Sequence, residues 1–557
     1  MPAIQRHRTK NIFLSARRLR GKGSIPCLFI FCYTGDMQSG NQQTFQNHPG
    51  PYQRHPQNNV PPRRKRGRFL FWLVVVLAVF GLVFLASVGA AYKFYATSRK
   101  VITENPPASF LESLKNVTSS ETKPLRGEKD GRINILLLGL AGENYPGENL
   151  TDSIIVASVN PKTFQTAMLS IPRDFFVRIP ETTNHTKINA LYARGRDLHG
   201  KSTEGIEDLK SVLSEITGLS IHYYVALDFD GFTRVIDELG GVKIQVPKDL
   251  HDEKYPGPNF SYQTFDIKAG LQNLDGATAL KYARTRHNEE GDFGRAFRQQ
   301  QILEATRQKA FSVGTLVNLP AVNNVLNILG DHLRTDAGLD ELESFLELSK
   351  KIDTHLTVNK VLDAGHPDSL LAVSHFSLGG VRAFTLIPRT GKYDEIRELA
   401  ANIFDLELIE RKKKEVKQEE AMIAIVNQSG SPSLGGKLEV LLEKMGYNAE
   451  SKSTKTGLKN PAATSEKTAL FDVSKTKPFS LEDIAKKFSA EIGQTLPANL
   501  SAACSGADLC LAGGQDLVGN LDYEEGTLEE LENEYDKQQI DEREYIELLK
   551  KGSATKF

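Results

Sequence analysis

An uninterrupted apolar run at residues 69–92 constrains this chain more than any other feature of its sequence. The run has no charged side chain, and about 24 helical residues at about 1.5 Å each span roughly 36 Å, enough to cross the hydrocarbon core of a bilayer. A cleaved signal peptide is the alternative. Its apolar part is usually only about 7–15 residues long, however, and the Ala-Ala-Tyr-Lys sequence at 90–93 is a poor cleavage context. The run therefore predicts one transmembrane helix over 69–92.

The charges around this run predict its orientation. The basic stretch 63–68 is denser in positive charge than Lys93, Arg99 and Lys100, and the more basic flank of a membrane helix stays in the cytoplasm. We therefore expect a single-pass protein of the cell membrane, with a cytoplasmic N-terminus and extracytoplasmic domains. Residues 1–68 are polar and rich in Gln, Asn and Pro, which predicts a disordered cytoplasmic tail, and Met37 is a second candidate start.

The chain of 557 residues is too long for one ordinary core, so we expect two folded domains. From Ile133 onward, strand-like runs alternate with helical patterns, which is typical of an α/β domain with helices packed on a central sheet. The strands are predicted at 133–138, 153–159, 166–171, 223–227, 242–246 and 383–387, and the helices at 206–216, 292–307 and 394–404. The expected segments are a stalk (93–130), the α/β domain (131–408), a charged linker (409–420), a small α/β domain (421–520) and an acidic helical tail (521–557).

Charge and cysteine content exclude several classes of protein. Lys plus Arg and Asp plus Glu both number 69, so no whole-chain field favours nucleic acid, and we expect no nucleic-acid partner. None of the four cysteines has C-x-x-C spacing, so a metal would need oxygen ligands. Cys504 and Cys510 are close in sequence and extracytoplasmic in the predicted topology. They form either a small disulfide loop or two buried thiols.

Three segments concentrate charged residues at the predicted ends of strands or helices. Leu150–Ser153 precedes a strand, Ser170–Asp174 follows one, and Arg284–Gln300 contains four arginines within fifteen residues. Ligands of α/β proteins bind at one edge of the sheet, so we expect the three segments to meet at such an edge.

The third segment predicts a phosphate site. If a helix begins at Asp292, then Arg295, Arg298 and Gln299 share one face of its first turns, where free N–H groups and the helix dipole also favour an anion. Arginine suits phosphate because its planar fork donates two parallel hydrogen bonds. The alternatives are a solvated surface face for the arginines, a capping role for Asp152, and a surface ion pair between Arg173 and Asp174.

The order of these motifs resembles the LytR-CpsA-Psr family over about 170 residues. The matching stretches are Ile135–Gly139, Thr151–Ser153, Val159–Thr163, Leu169–Asp174, Lys187–Ala190, Leu239–Val242, Leu274–Gly276 and Arg284–Gln300. The resemblance implies a central mixed sheet flanked by helices. Residues 421–520 resemble the LytR C-terminal domain, through Val426-Asn427 and Ala507-Asp508.

The resemblance also implies an activity. Members of the family are membrane-anchored bacterial phosphotransferases that move glycopolymers such as teichoic acid or capsule from a polyprenyl-pyrophosphate carrier onto peptidoglycan, with the polyprenyl tail in an apolar pocket. Carried over by position, Asp152 matches the aspartate that binds magnesium. The residues that match the catalytic and phosphate-binding set are Arg173, Arg284, Arg286, Arg295, Arg298 and Gln299, with Asp292 beside them and Lys187 as a weaker match.

Two departures from the family pattern concern the charged site. Leu150 stands where the family commonly has an arginine, and Leu140–Glu143 lacks the aspartate usual after the first strand, which raises the option of metal ligation by Glu143. Asp174 and Asp292 are the candidates to take the acceptor proton. A polyprenyl-pyrophosphate pyrophosphatase and a non-catalytic envelope-binding or regulatory protein are the alternative functions.

Overall fold

The apolar runs that follow residue 132 form a central sheet in the computed structural model of the protein. The structure describes residues 92, 93, 96 and 123–521, apart from 144, 146, 200–201, 258–260, 286–290, 313–328, 331, 339–340, 353–355, 365–367, 379–380, 453–463 and 520. All of the described residues belong to one unit, Val76–Phe557.

Fourteen strands and seven helices are described up to residue 401. The strands are β1 (Ile133–Leu140), β2 (Thr151–Val159), β3 (Thr166–Ile171), β4 (Phe176–Arg178), β5 (His185–Lys187), β6 (Tyr223–Asp228), β7 (Val242–Val246), β8 (Leu250–Pro256), β9 (Tyr262–Ile267), β10 (Gly270–Leu274), β11 (Leu333–Thr335), β12 (Thr357–Val361), β13 (Leu371–Leu378) and β14 (Val381–Pro388). The helices are α1 (Ala190–His199), α2 (Ser202–Thr217), α3 (Phe229–Glu238), α4 (Gly276–Arg284), α5 (Gly291–Ser312), α6 (Leu342–Lys351) and α7 (Asp394–Ala401). Every strand and helix predicted in this region is present, with ends shifted by a few residues.

The central sheet has six strands in the order β11-β6-β1-β2-β3-β12. β2 runs antiparallel to both β1 and β3, whereas β6 is parallel to β1 and β12 is parallel to β3. The sheet is therefore mixed, as the family resemblance implies.

The alternation of side chains along β1 sends apolar groups to both faces of the sheet. Leu136 and Leu138 pack in a core with Leu191 of α1, Leu213 of α2 and Ile396 of α7. Ile133 lies in a smaller core on the other face, against which Phe345 and Leu348 of α6 pack. Helices thus cover both faces, which gives the predicted α/β/α layering.

Two of the predicted strands lie outside the central sheet. β7 pairs with β10, and this ribbon shares a core with β8, β9 and helices α3, α4 and α5. β14 pairs with β13 instead. Local sequence patterns predict that a segment is extended, but they do not name its partner, which is chosen by long-range packing.

Leu125 changes the predicted boundary of the stalk. Its side chain is buried against the sheet, and the backbone N–H of Arg126 donates to Tyr223 Oη at 2.7 Å. Residues 123–130 therefore pack on the α/β domain instead of belonging to the stalk predicted for 93–130.

A second sheet follows residue 421. It contains β15 (Met422–Asn427), β16 (Asn448–Ser451), β17 (Ala469–Asp472), β18 (Glu491–Gly493) and β19 (Leu509–Gly513), in the order β16-β15-β19-β17-β18. Its helices are α9 (Leu434–Lys444), α10 (Pro478–Lys487), α11 (Ala498–Ser501) and a 3₁₀ turn (Gln515–Leu517). The segment 409–420, predicted as a charged linker, lies almost entirely in helix α8 (Leu406–Glu419), where Lys412 pairs with Glu398 at 2.9 Å.

Cys504 and Cys510 form a disulfide, with Cα atoms 5.6 Å apart, and both residues are fully buried. Of the two alternatives for this pair, the structure selects the disulfide loop.

The predicted cytoplasmic tail 1–68, the transmembrane helix 69–92 except Tyr92, and the acidic tail beyond Leu521 lie outside the described residues. Within the described part of the chain, no helix combines the length and apolar character needed to cross a membrane.

Candidate active site

Strand register brings separate charged segments to one edge of the central sheet. Leu140, at the end of β1, lies opposite Thr151 of β2 and beside Asp228 at the end of β6. Ile154 of β2 lies opposite Ile171, the last residue of β3. We call this edge, formed by the carboxyl ends of β1, β3 and β6 and the amino end of β2, the site edge.

Four charged side chains alternate in sign along the β2–β3 part of the site edge. The guanidinium of Arg173 donates to Asp152 Oδ1 at 3.0 Å and lies 3.4 Å from Asp174 Oδ2. The ammonium group of Lys187 lies 2.5 Å from Asp174 Oδ1. Asp152 is the more accessible acid, since its side chain is 25% exposed and that of Asp174 is 13% exposed. The ion pair of Arg173 with Asp174, one alternative for this segment, is thus present, but it is mostly buried and continues to Lys187 and Asp152.

Asn189 fixes the backbone around these charges. Its N–H donates to the carbonyl of Arg173 at 3.3 Å, and its carbonyl accepts from the N–H of Thr151 at 3.2 Å. The Asn189 side chain is buried, and no described residue donates a hydrogen bond to its Oδ1 atom. A buried amide oxygen without a donor is costly, so this atom is suited to a ligand.

Arg284, at the end of α4, is enclosed by aromatic rings. Its guanidinium carbon lies 4.5 Å from the ring centre of Phe229, 5.6 Å from that of Tyr255 and 5.7 Å from that of Tyr145. Rings at these distances stabilise a cation and restrict its rotamers. Burial raises the pKa of Tyr145, and the negative charge of Asp230 adds to the shift, so the ring beside Arg284 stays neutral.

Arg298 of α5 contacts the end of α4. Its Nε donates to the carbonyl of Tyr282 at 3.1 Å, and a second N–H donates to the carbonyl of Thr285. The last carbonyls of a helix lack partners within the helix, and a cation there also complements the helix dipole. Arg298 is only 2% exposed, so it supports the backbone that presents Arg284.

Of the other residues predicted to bind phosphate in Arg284–Gln300, the structure describes the side chains of some and not of others. Arg295 is buried on α5, and Gln299 Nε2 donates to the carbonyl of Ala283 at 3.3 Å. Arg286 and the side chain of Asp292 lie outside the described residues. Glu143, the alternative metal ligand, is exposed in the loop after β1.

Gln300 connects this helix to the sheet. Its amide nitrogen donates to Ser170 Oγ at 2.8 Å and to the carbonyl of Lys360 at 3.1 Å. Ser170 lies three residues before Arg173, so the α4–α5 segment is held beside the same edge. The structure therefore brings together the three segments that the sequence predicted would meet.

Magnesium would have few protein ligands here. In the part of the chain that the structure describes, no group of three or more His, Cys, Asp or Glu side chains is placed around a common point. Mg²⁺ commonly keeps several waters and uses one or two carboxylates together with substrate phosphates. Asp152 fits that type of site. Its Oδ1 atom accepts a hydrogen bond from Arg173, whereas its Oδ2 atom accepts none from the described residues.

Sequence reasoning missed the residues that enclose Arg284 and those around Asp228. Tyr145 and Tyr255 come from loop and ribbon segments without a recognisable motif. The run Asp228-Phe229-Asp230 directly after a predicted strand was a usable signal, since the ends of neighbouring strands share an edge.

Comparisons with known proteins identify the family of this chain. The model of the LytR_cpsA_psr family matches residues 91–363. The polyisoprenyl-teichoic acid–peptidoglycan teichoic acid transferase TagU of Oceanobacillus iheyensis is 30% identical over 317 residues, which cover 56% of this chain and 90% of TagU. The chain belongs to the LytR-CpsA-Psr family.

Two further relatives have names that describe different functions, one regulatory and one enzymatic. The regulatory protein MsrR of Staphylococcus aureus (strain COL) is 38% identical over 201 residues, or 36% of this chain and 55% of MsrR. The match thus spans about half the length of MsrR. The teichoic acid transferase TagV of Bacillus subtilis (strain 168) is 33% identical over 293 residues, covering 50% of this chain and 69% of TagV.

Proposed function

We propose that this LytR-CpsA-Psr protein is a phosphotransferase that moves a glycopolymer from a polyprenyl-pyrophosphate carrier onto peptidoglycan. The observations that carry the proposal are the ion pairs of Arg173 and Lys187 at the site edge and the packing of Arg284 on Phe229, the residue that follows the end of β6 at the same edge. A pyrophosphate with several negative charges matches such a group of cations. The names of TagU and TagV as polyisoprenyl-teichoic acid–peptidoglycan teichoic acid transferases support this substrate class.

The chemistry needs no covalent nucleophile from the protein. The acceptor hydroxyl attacks the phosphorus next to the sugar, a new O–P bond forms, and polyprenyl phosphate leaves with the electrons of the broken P–O bond. Arg173, Lys187 and Arg284 bind the pyrophosphate oxygens and neutralise the charge that develops on them, which supplies most of the catalysis in phosphoryl transfer.

Asp152 is the residue that we propose to hold magnesium, with Asn189 Oδ1 as a neutral oxygen close to its strand. When bound, the ion would act as a Lewis acid on the phosphate oxygens. The ion pair of Asp152 with Arg173 then balances the charge of the site before the substrate enters.

The transmembrane helix proposed for residues 69–92 places this domain outside the cell, next to a lipid-linked donor and to peptidoglycan. Protease added to spheroplasts should degrade the chain beyond residue 100 and spare the tail before residue 68. Protection of the domain under these conditions would contradict the topology.

Transfer is tested with a synthetic farnesyl-diphospho-N-acetylglucosamine donor and purified peptidoglycan. The full chain in detergent should release farnesyl phosphate and attach the phosphosugar, and EDTA should stop both events. Arg284→Ala should slow release by about a hundredfold, because one charge-stabilising contact in the transition state contributes about 3 kcal/mol. The matched control is Arg307→Ala on α5, a residue that pairs with Glu304 at 3.4 Å and should keep the parent rate.

The outcomes separate the three candidate functions. A transferase attaches the phosphosugar to peptidoglycan, a pyrophosphatase releases farnesyl phosphate equally well without peptidoglycan, and a binding protein releases none. Equal rates for the parent and Arg284→Ala would remove the support that Arg173, Lys187 and Arg284 give to an enzymatic function.

A further inference from the structure

His332 and Asp228 form a tightly paired acid and imidazole. His332 Nδ1 lies 2.9 Å from Asp228 Oδ1 and 2.8 Å from Oδ2. A ring nitrogen that contacts a carboxylate carries the proton, so in the neutral ring the lone pair is on Nε2. Within the described residues, the structure gives Nε2 no hydrogen-bond partner.

Both members of the pair are fixed by the fold. Asp228 caps the first turn of α3 by accepting from the N–H of Gly231 at 2.8 Å, and its own N–H donates to the carbonyl of His332 at 3.2 Å. A Cβ atom on Gly231 would lie 2.6 Å from that of His332, so glycine is needed for the imidazole to pack on this turn. Each side chain is 18% exposed, which leaves the pair accessible to a ligand.

The pair lies at the site edge, outside the phosphate-binding set. Asp228 is beside Leu140 in β1, and Leu140 is opposite Thr151 in β2. Asp228 is therefore two strand spacings, or about 10 Å, from the start of β2. The next residue, Phe229, stacks on Arg284 at 4.5 Å, so the pair borders one end of the proposed pyrophosphate site.

The sequence candidates for the proton acceptor are less suitable. Both oxygens of Asp174 are already paired, one with Lys187 at 2.5 Å and the other with Arg173 at 3.4 Å. Cations therefore engage both oxygens, which leaves the carboxylate poorly placed to accept the proton of an acceptor hydroxyl. The side chain of Asp292 lies outside the described residues.

We infer that His332 is the general base of the reaction and that Asp228 is its positioning residue. The inference rests on the proposed function. As the acceptor oxygen forms its bond to phosphorus, its proton moves to His332 Nε2 while the bond from phosphorus to the polyprenyl phosphate oxygen breaks. Asp228 takes no proton, and its negative charge stabilises the imidazolium. Solvent removes the proton after polyprenyl phosphate leaves.

The test measures release of farnesyl phosphate from farnesyl-diphospho-N-acetylglucosamine by the full chain in detergent, with purified peptidoglycan as the acceptor. His332→Gln should slow release by at least about a hundredfold, the usual contribution of a general base, with donor binding within twofold of the parent. Asp228→Asn keeps an oxygen for the helix cap but presents an N–H to the imidazole. It should lower kcat without changing donor affinity.

The matched control is His251→Gln. His251 also pairs with an aspartate, Asp266, at 2.6 Å, but it is 58% exposed on the β8–β9 ribbon. This variant should release farnesyl phosphate at the parent rate.

Chemical rescue separates a base from a structural residue. Imidazole added to His332→Gly should restore at least a tenth of the parent rate, whereas it should not accelerate the parent. A rate within twofold of the parent for His332→Gln, or a slow variant that imidazole does not restore, overturns the inference. Failure of the proposed function looks different, because the parent chain itself would then release no farnesyl phosphate, or would release it equally well without peptidoglycan.

Discussion

The amide nitrogen of Gln300 lies 2.8 Å from the Oγ atom of Ser170, a residue 130 positions earlier in the chain. This contact joins α5 to the end of β3, three residues before Arg173. The amide also donates to the carbonyl of Lys360 in the neighbouring strand β12 at 3.1 Å. Gln300 is 1% exposed, so these bonds are shielded from water and hold α5 against the end of β3, close in sequence to Arg173.

Replacing Gln300 with methionine should weaken the attachment of α5 to β3 and β12. Methionine has a similar volume but cannot donate, so Ser170 and Lys360 lose a buried partner at a cost of about 1–3 kcal/mol. We expect a lower free energy of unfolding in urea and weaker binding of the lipid pyrophosphate. Gln308→Met, an exposed change on the same helix, serves as the control. Parent-like donor binding in Gln300→Met would show that the contact does not position the site.

Arg298→Ala should lower both stability and activity. The change leaves the carbonyls of Tyr282 and Thr285 without their donors in a buried position, and we expect a loss of about 2 kcal/mol or more in unfolding free energy. Arg307→Ala, about two and a half turns further along α5, should lose under about 1 kcal/mol. An unchanged melting temperature of Arg298→Ala would contradict the capping role.

Phe229→Leu should remove the cation–π contact that restrains Arg284. The ring lies 4.5 Å from the guanidinium carbon, and a cation–π contact of about 1 kcal/mol corresponds to about a fivefold loss of donor affinity, measured by calorimetry. Phe479→Leu, an exposed change in the second sheet domain, should have no effect. An affinity within experimental error of the parent for Phe229→Leu would show that the ring does not restrain Arg284.

Tyr223 should make the free energy of unfolding fall as the pH rises above about 10. Burial raises its pKa to about 12, and the hydrogen bond that it donates to Glu341 at 2.6 Å adds to the shift. The folded pKa exceeds the ordinary value near 10, so the stabilisation is fully present below pH 10 and is lost as the pH rises to about 12. The difference in unfolding free energy between the parent and Tyr223→Phe should therefore shrink over this interval. A constant difference from pH 8 to 12 would contradict the assignment, and Tyr262→Phe, at an exposed position, is the control.

The amino-acid sequence by itself determined the elements and the residue types of the site. The strand at Thr166–Ile171 and the helix that begins at Gly291 follow from local apolar patterns, because alternation and helical spacing are properties of neighbouring residues. The motifs around Asp152, Arg173 and Arg284 also identified the family from sequence order alone.

Only the tertiary structure decided which groups meet. Nothing local in the sequence indicates that Val242–Val246 pairs with β10 outside the central sheet, or that Arg298 caps the helix before it. The contacts of Arg284 with Phe229 and of His332 with Asp228 join residues 55 and 104 positions apart. Such contacts depend on strand register and on the packing of α3, α4 and β11 together, and these are set by the whole core and not by any one segment.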